Sequence, residues 1–146
     1  MQILKRILLA EDNTNDIELT LEAFAEAKIA NEVVVVRDGA EALDYLFCQG
    51  QFEGRTDGNP ILVLLDLKMP KVNGLEVLAQ VRANPNLKRL PIVMVTASRE
   101  EQDLVKSYDL GVNAYVVKPV GFIEFTDAIK QIGAFWAILN EAPPMG

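Results

Sequence analysis

The chain has 146 residues, 50 % of them hydrophobic and 24 % charged, with a formal net charge of −7 and no histidine. That balance excludes a disordered tail, and the length suits one domain that buries roughly 70 % of the surface its unfolded chain exposes. An acidic chain without a long basic run is not built to hold a nucleic-acid backbone or an anionic membrane surface, so its partners are expected to be proteins.

The opening segment, MQILKRILLAED, carries two basic residues ahead of a four-residue apolar run. That run is too short for a signal-peptide core, and no apolar stretch approaches the ~18 residues of a membrane span. Ile7 to Ala10 reads instead as a first strand. Asn13 or Thr14 then caps a helix bearing Ile17, Leu21, Phe24 and Ala25, with Asp16 and Glu18 near its positive end. Val33 to Val36 is a second strand, followed by helical spacing from Gly39 to Phe47 with Ala42, Leu43 and Leu46 on one side. The single cysteine, Cys48, cannot form an intrachain disulfide, and beside Leu46 and Phe47 it reads as a small half-buried side chain, which suits the cytoplasm. Residues 49–60 are polar and glycine-bearing and read as an exposed loop.

Ile61 to Leu65 is the third strand and runs directly into Asp66. A helix from Gly74 to Val81, carrying Leu75, Leu78 and Val81, stops before the breaker Asn84-Pro85. Ile92 to Val95 is the fourth strand, Ser98 caps a helix from Arg99 to Leu110, and Tyr115 to Val117 is the fifth strand. A last helix extends from about Gly121 to Leu139, leaving a short flexible tail at about 141–146 and no room for an effector domain. Runs rich in Val and Ile without polar alternation suit strands buried on both faces of a parallel sheet. Five alternations of strand and helix imply right-handed crossovers, hence an α/β class: one domain, 1–146, with a five-stranded, doubly wound parallel sheet and five helices.

Ligands of such sheets gather at the carboxyl ends of the strands. Those ends carry Glu11-Asp12, Asp66, Thr96-Ala97-Ser98 and Lys118-Pro119. If the first and third strands are neighbours, three carboxylates converge, and they repel one another unless a cation sits among them. All-oxygen ligands with no histidine and no nearby cysteine point to Mg²⁺, with Mn²⁺ as the alternative. The Lys118 ammonium and the Thr96 hydroxyl suit the oxygens of a phosphoryl group. Metal, lysine and hydroxyl together describe a phosphoryl-transfer site in which Asp66 is the nucleophile. Each piece also has a plainer reading. Glu11-Asp12 could favour a helix N-terminus, Asp66 could be a cap, and Thr96 could bond its own backbone. A cap at Asp66 does not account for a lysine at the far strand end.

The set Glu11-Asp12, Asp66 within LLDLKMP, Asn73-Gly74, Thr96-Ala97 and Tyr115-Val116-Val117-Lys118-Pro119 resembles the receiver domain of two-component response regulators, the CheY-like superfamily, over nearly the whole chain. The resemblance implies the flavodoxin-like strand order 2-1-3-4-5. It implies that Asp66 takes a phosphoryl group from a histidine kinase, that Asp12 binds the metal directly and Glu11 mainly through water, and that the backbone carbonyl of Lys68 is a further ligand. Thr96 would hydrogen-bond the phosphoryl group and Lys118 would pair with it. Tyr115 reads either as the aromatic that changes rotamer on activation or as a static side chain, and Pro119 as following a cis or an ordinary trans bond. Ala97 matches the small-residue position, and the side chains at Lys68 and Ser98 lie where receivers vary and tune dephosphorylation. With no histidine in the chain, the phosphohistidine donor must be another protein. The activity implied is therefore self-phosphorylation and slow self-dephosphorylation, not turnover of an external substrate, with a downstream protein target as output. A narrower resemblance, carried by the long loop after the second helix, the segment from Asn84 to Pro91 and the terminal Phe135-Trp136, is to stand-alone receivers that serve phytochrome-type sensor kinases.

On the last helix, Phe122, Phe125, Ile129, Ile132, Trp136 and Leu139 follow helical spacing, while Ile123, Phe135 and Ile138 widen the apolar surface. The excess at Phe135, Trp136 and Leu139 is expected to form a homodimer surface, with packing over the domain's own edge as the alternative. Other classes fit less well. A phosphatase of the haloacid dehalogenase type needs a second Asp two residues after the first, where this chain has Lys68. A flavin binder of the same fold would find its phosphate repelled by Glu11-Asp12. A docking adaptor that works without phosphorylation is the remaining alternative.

Overall fold

The computed structural model describes residues 5–118 and 122–134. The expectations for Pro119, Phe135, Trp136, Leu139 and the tail lie outside those residues. Among them, the strands are β1 (Ile7–Ala10), β2 (Val33–Val36), β3 (Leu62–Leu65), β4 (Ile92–Thr96) and β5 (Ala114–Val117), and the helices are α1 (Thr14–Glu26), α2 (Gly39–Leu46), α3 (Gly74–Ala83), α4 (Glu101–Asp109) and α5 (Phe122–Ala134). All strand pairings are parallel and the order is β2-β1-β3-β4-β5, as expected.

The unbroken apolar runs find their reason in two separate cores. One face of the sheet, with Leu8, Val63, Leu65 and Met94, packs against α2 and α3 through residues such as Leu46, Val77 and Leu78. The other, with Ile7, Leu9, Leu64 and Val93, meets Ile17 and Phe24 of α1 and Ile129 of α5. Residues of β1, β3 and β4 are therefore buried whichever way they point. The edge strands differ: β5 is half-buried throughout and β2 is fully buried only at Val36. Their outer sides have no neighbouring strand to cover them.

Helix starts follow local chemistry. The side chains of Asn13, Asp38 and Asn73 each accept the backbone N–H three residues on, at 3.0, 2.7 and 2.9 Å, so the helices begin where an orphan donor finds a side-chain oxygen. The start of α4 departs from expectation. Ser98 does not cap it; the helix begins at Glu101, after Glu100, which makes no side-chain cap bond. The Ser98 hydroxyl is instead committed to the buried carboxylate of Asp103, at 2.6 Å. The end of α4 is closed by Gly111 at φ 89, with Gly111 N–H donating to Tyr108 O and Val112 N–H to Ser107 O, a reversal that needs a left-handed residue.

The polar stretch 49–60 is the mostly exposed loop expected, and it is anchored at two points. A short 3-10 turn at Gly50–Phe52 brings Phe52 edge-on to Tyr45, with ring centroids 5.0 Å apart. The Arg55 guanidinium lies over the same ring, 4.0 Å from its centroid, and donates to the Tyr45 carbonyl.

A second arginine clamps the segments that lead into β4 and β5. Arg82 donates to the carbonyls of Gly111, Lys88 and Leu90 and to Asn113 Oδ1, which also accepts Ile92 N–H at the start of β4. Arg82→Ala leaves these acceptors without their donor. It is expected to lower stability by about 1–3 kcal/mol in urea unfolding, leaving the carboxyl-end site unchanged.

Candidate functional site at the carboxyl edge of the sheet

The strand ladder itself brings the acidic residues together. Ala10 pairs with Leu65, and beyond that register Asp66 N–H donates to Ala10 O while Glu11 N–H donates to Val36 O. Glu11 and Asp66 thus leave adjacent strands side by side. Asp12 completes the group: one carboxylate oxygen from each of Glu11, Asp12 and Asp66 lies within 4.8 Å of the others. Glu11 and Asp66 are buried, at 4 % and 7 % exposure, whereas Asp12 is exposed. On the far side, Lys118 N–H donates to Thr96 O, which extends the β4–β5 pairing and aims the lysine back across the sheet edge.

The ammonium of Lys118 holds the cluster. Its Nζ donates to Glu11 Oε1 at 2.6 Å, Asp16 Oδ2 at 2.7 Å and Asp66 Oδ2 at 3.3 Å. Glu11 Oε2 accepts Asn13 N–H and Asp66 Oδ1 accepts Lys68 N–H, so the buried carboxylates are partly satisfied by backbone as well. Those carboxylates keep Lys118 firmly protonated, its pKa raised despite burial. Burial pushes the Glu11 carboxyl up to about 7, with the Asp66 charge adding to the effect and Lys118 opposing it.

That shift has a consequence for stability. Between about pH 4.5 and 7 the folded metal-free protein retains a Glu11 proton that the unfolded chain has already released, so its stability falls as pH rises through this window. A cation needs the ionised carboxylate, so divalent-metal affinity is expected to rise about tenfold between pH 6 and pH 8 in calorimetric titrations. Glu11→Gln should flatten both profiles.

An open cleft lined by Glu11, Asp12, Asn13, Thr14, Asn15, Asp16, Asp66, Ala97 and Lys118 leads to the cluster. Three hard oxygen donors at this spacing, reachable from solvent, fit a small divalent cation with water completing its shell. Gly74 supports the floor. A Cβ at that position would lie 2.3 Å from the Asp66 carbonyl oxygen and 2.8 Å from Leu67 Cα, so only glycine lets α3 approach this closely.

The other expected residues fall into two groups. Thr96 is buried and does not line the cleft; its hydroxyl accepts Ser98 N–H at 3.3 Å, the strand-end alternative considered for it. Tyr115 is half-buried and its hydroxyl donates to Ser98 O at 3.1 Å, which ties β5 to the segment after β4. The Lys68 side chain points to Glu100, 3.9 Å away. Sequence reasoning missed two residues. Asp16 reads from the sequence only as an acid near a helix N-terminus, yet it touches Lys118. Arg37 follows directly after β2, at the same sheet edge, and holds the Asp12 carbonyl at 3.1 Å and the Thr14 hydroxyl at 2.6 Å. The strand-end rule extended to β2 finds it.

Comparison with known proteins agrees with this geometry. Residues 7–130 match the family described as response regulator receiver domain. The chain is 40 % identical over 132 residues to the response regulator Rcp1 of Synechocystis sp., covering 90 % of this chain and 88 % of that one. The Mn²⁺-bound form of Rcp1 superposes with a TM-score of 0.90 at 38 % identity, covering 96 % of this chain and 99 % of that one. The phosphorylated cyanobacterial phytochrome response regulator RcpA gives a TM-score of 0.90 at 42 % identity, covering 97 % of this chain and all of that one, 100 %. The bacteriophytochrome response regulator RtBRR is 62 % identical, with a TM-score of 0.78 and coverage of 97 % and 86 %.

Proposed function

The chain belongs to the response regulator receiver family, whose general role is phosphorylation-dependent signalling, and from that premise we propose that Asp66 accepts a phosphoryl group from the phosphohistidine of a sensor histidine kinase. A carboxylate oxygen of Asp66 forms the new P–O bond as the donor's P–N bond breaks, and the imidazole leaves with the electron pair. Glu11, Asp12, Asp66 and the Lys68 carbonyl hold Mg²⁺, or Mn²⁺ in its place. The bound ion supplies positive charge against the incoming phosphoryl oxygens. Lys118 adds an ammonium on the other side and Thr96 a hydroxyl. The Mn²⁺-bound form of Rcp1 supports a divalent ion, and the phosphorylated RcpA supports the modification.

One observation carries this reading: three carboxylates within 4.8 Å of one another share their space with a single ammonium at the carboxyl edge of a parallel sheet. A phosphoryl group brings about −2 charge there. Charge-assisted hydrogen bonds are worth ~1.5–3 kcal/mol each, and inverting a population from 1:99 to 99:1 takes ~5.5 kcal/mol, so two such bonds and a metal contact suffice. The output is a shift of the segments after β3 and β4, transmitted through Ser98 and Tyr115 to the surface of α4, β5 and α5.

The single receiver domain, 1–146, acts in the cytoplasm on a downstream protein, and its kinase is of the phytochrome type, as the names of RcpA and RtBRR suggest. No described helix is long and apolar enough to cross a membrane. Self-association through the end of the last helix, at Phe135, Trp136 and Leu139, is part of the proposal. Among the described residues, Tyr108 on α4 and Ile123 in the first turn of α5 leave apolar side chains exposed, as a protein-binding surface requires. The test is incubation with acetyl phosphate and Mg²⁺ followed by intact-mass measurement. Addition of one phosphoryl group is expected; an unchanged mass would favour the phosphorylation-independent adaptor.

A further inference from the structure

We propose that Asp16 is a positioning residue that holds the Lys118 ammonium in the unphosphorylated protein and is exchanged for a phosphoryl oxygen when Asp66 is modified. This rests on the phosphoryl-acceptor reading of Asp66. A lysine ammonium has three N–H donors, and here three carboxylates use them: Glu11, Asp16 and Asp66. A phosphoryl oxygen gains a bond from Lys118 only by displacing one of these.

Geometry selects which one leaves. Glu11 is buried and its second oxygen is engaged by Asn13 N–H, and Asp66 is the point of attachment. Asp16 sits on the first turn of α1 with its side chain 25 % exposed, against 5 % for Glu11 and 9 % for Asp66, so water readily takes over its carboxylate. At 2.7 Å from Nζ, against 3.3 Å for Asp66, it also draws the ammonium away from the acceptor. The turn is fixed by Asn13, which accepts Asp16 N–H at 3.0 Å. Asp16 therefore opposes the phosphorylated state by competing for its cation.

The test uses the full chain with saturating Mg²⁺ and beryllofluoride, a non-covalent phosphoryl mimic, followed by fluorine NMR. Asp16→Asn is expected to bind the mimic roughly three- to tenfold more tightly than wild type, the scale of one charge-assisted contact at a partly exposed site. Charge alone is separated from contact by Glu18→Gln, which removes a negative charge from the same helix at an exposed residue that neither lines the cleft nor bonds Lys118. Glu18→Gln should bind the mimic as wild type does. Unchanged affinity in Asp16→Asn, or an equal gain in Glu18→Gln, overturns the role of Asp16 while leaving the acceptor reading intact. Wild type that neither binds beryllofluoride nor gains mass from acetyl phosphate overturns both.

Discussion

Asp66→Asn is expected to abolish phosphoryl uptake from acetyl phosphate or from a kinase, read as the loss of the mass increment seen with wild type. The amide has the shape of the carboxylate but neither its charge nor its nucleophilic oxygen, and it removes one of the three donors that would bind the cation. The fold should survive. Asp66 contributes to the raised pKa of Glu11 through its charge, so neutralising it relieves repulsion between two buried acids. Urea unfolding of metal-free Asp66→Asn at neutral pH should therefore give a midpoint at or above that of wild type, and a large fall would show instead that Asp66 is chiefly structural.

Lys118→Met should do the reverse, damaging fold and chemistry together. Its ammonium is the shared partner of Glu11 and Asp66, whose side chains are 5 % and 9 % exposed, and methionine leaves both carboxylates in a poorly solvated site without compensation. Removing one member of a buried ionic group costs about 3–5 kcal/mol, and the partial exposure of Asp16 puts the expectation for metal-free protein near the lower end. Two conditions should restore much of the loss. Divalent cation replaces the missing positive charge, and lowering the pH towards 5 lets Glu11 take up a proton. Denaturation at pH 5 and pH 8, with and without Mg²⁺, checks this. A loss independent of both pH and metal would point to packing of the lysine stem instead of its charge. Even with stability restored, phosphoryl retention should remain poor, since Lys118 is the one cationic side chain lining the cleft among the described residues.

These expectations couple the fold to the chemistry through one physical fact. Parallel pairing sets β1 beside β3 and β4 beside β5, so residues just past the ladder project from one rim. Four elements separated in sequence therefore contribute to a single polar cluster whose members need one another's charge. The same pairing accounts for the switch segment. Tyr115, on the edge strand β5, is only half-buried, and its hydroxyl bond to Ser98 spans to the β4–α4 connection. Burial raises its pKa, so the hydroxyl remains a donor throughout the physiological range.

By itself the sequence determined whatever depends on near neighbours along the chain. Apolar runs such as Leu-Val-Leu-Leu located the strands, Asn13, one of two candidate caps, located a helix start, and acids placed directly after apolar runs located the candidate site. The order of the strands came from the family resemblance, because periodicity says which faces are buried but not which strand lies beside which. Only the tertiary structure decided who partners whom. Lys118 and Glu11 are 107 residues apart, and nothing local to either announces their 2.6 Å contact or the third partner, Asp16. The same holds for Ser98, whose hydroxyl reads from the sequence as a cap but is claimed by Asp103, and for Arg55, which anchors the exposed loop on Tyr45. A polar side chain goes to whichever buried opposite charge or unpaired acceptor lies within reach, and reach is defined only after the sheet has formed.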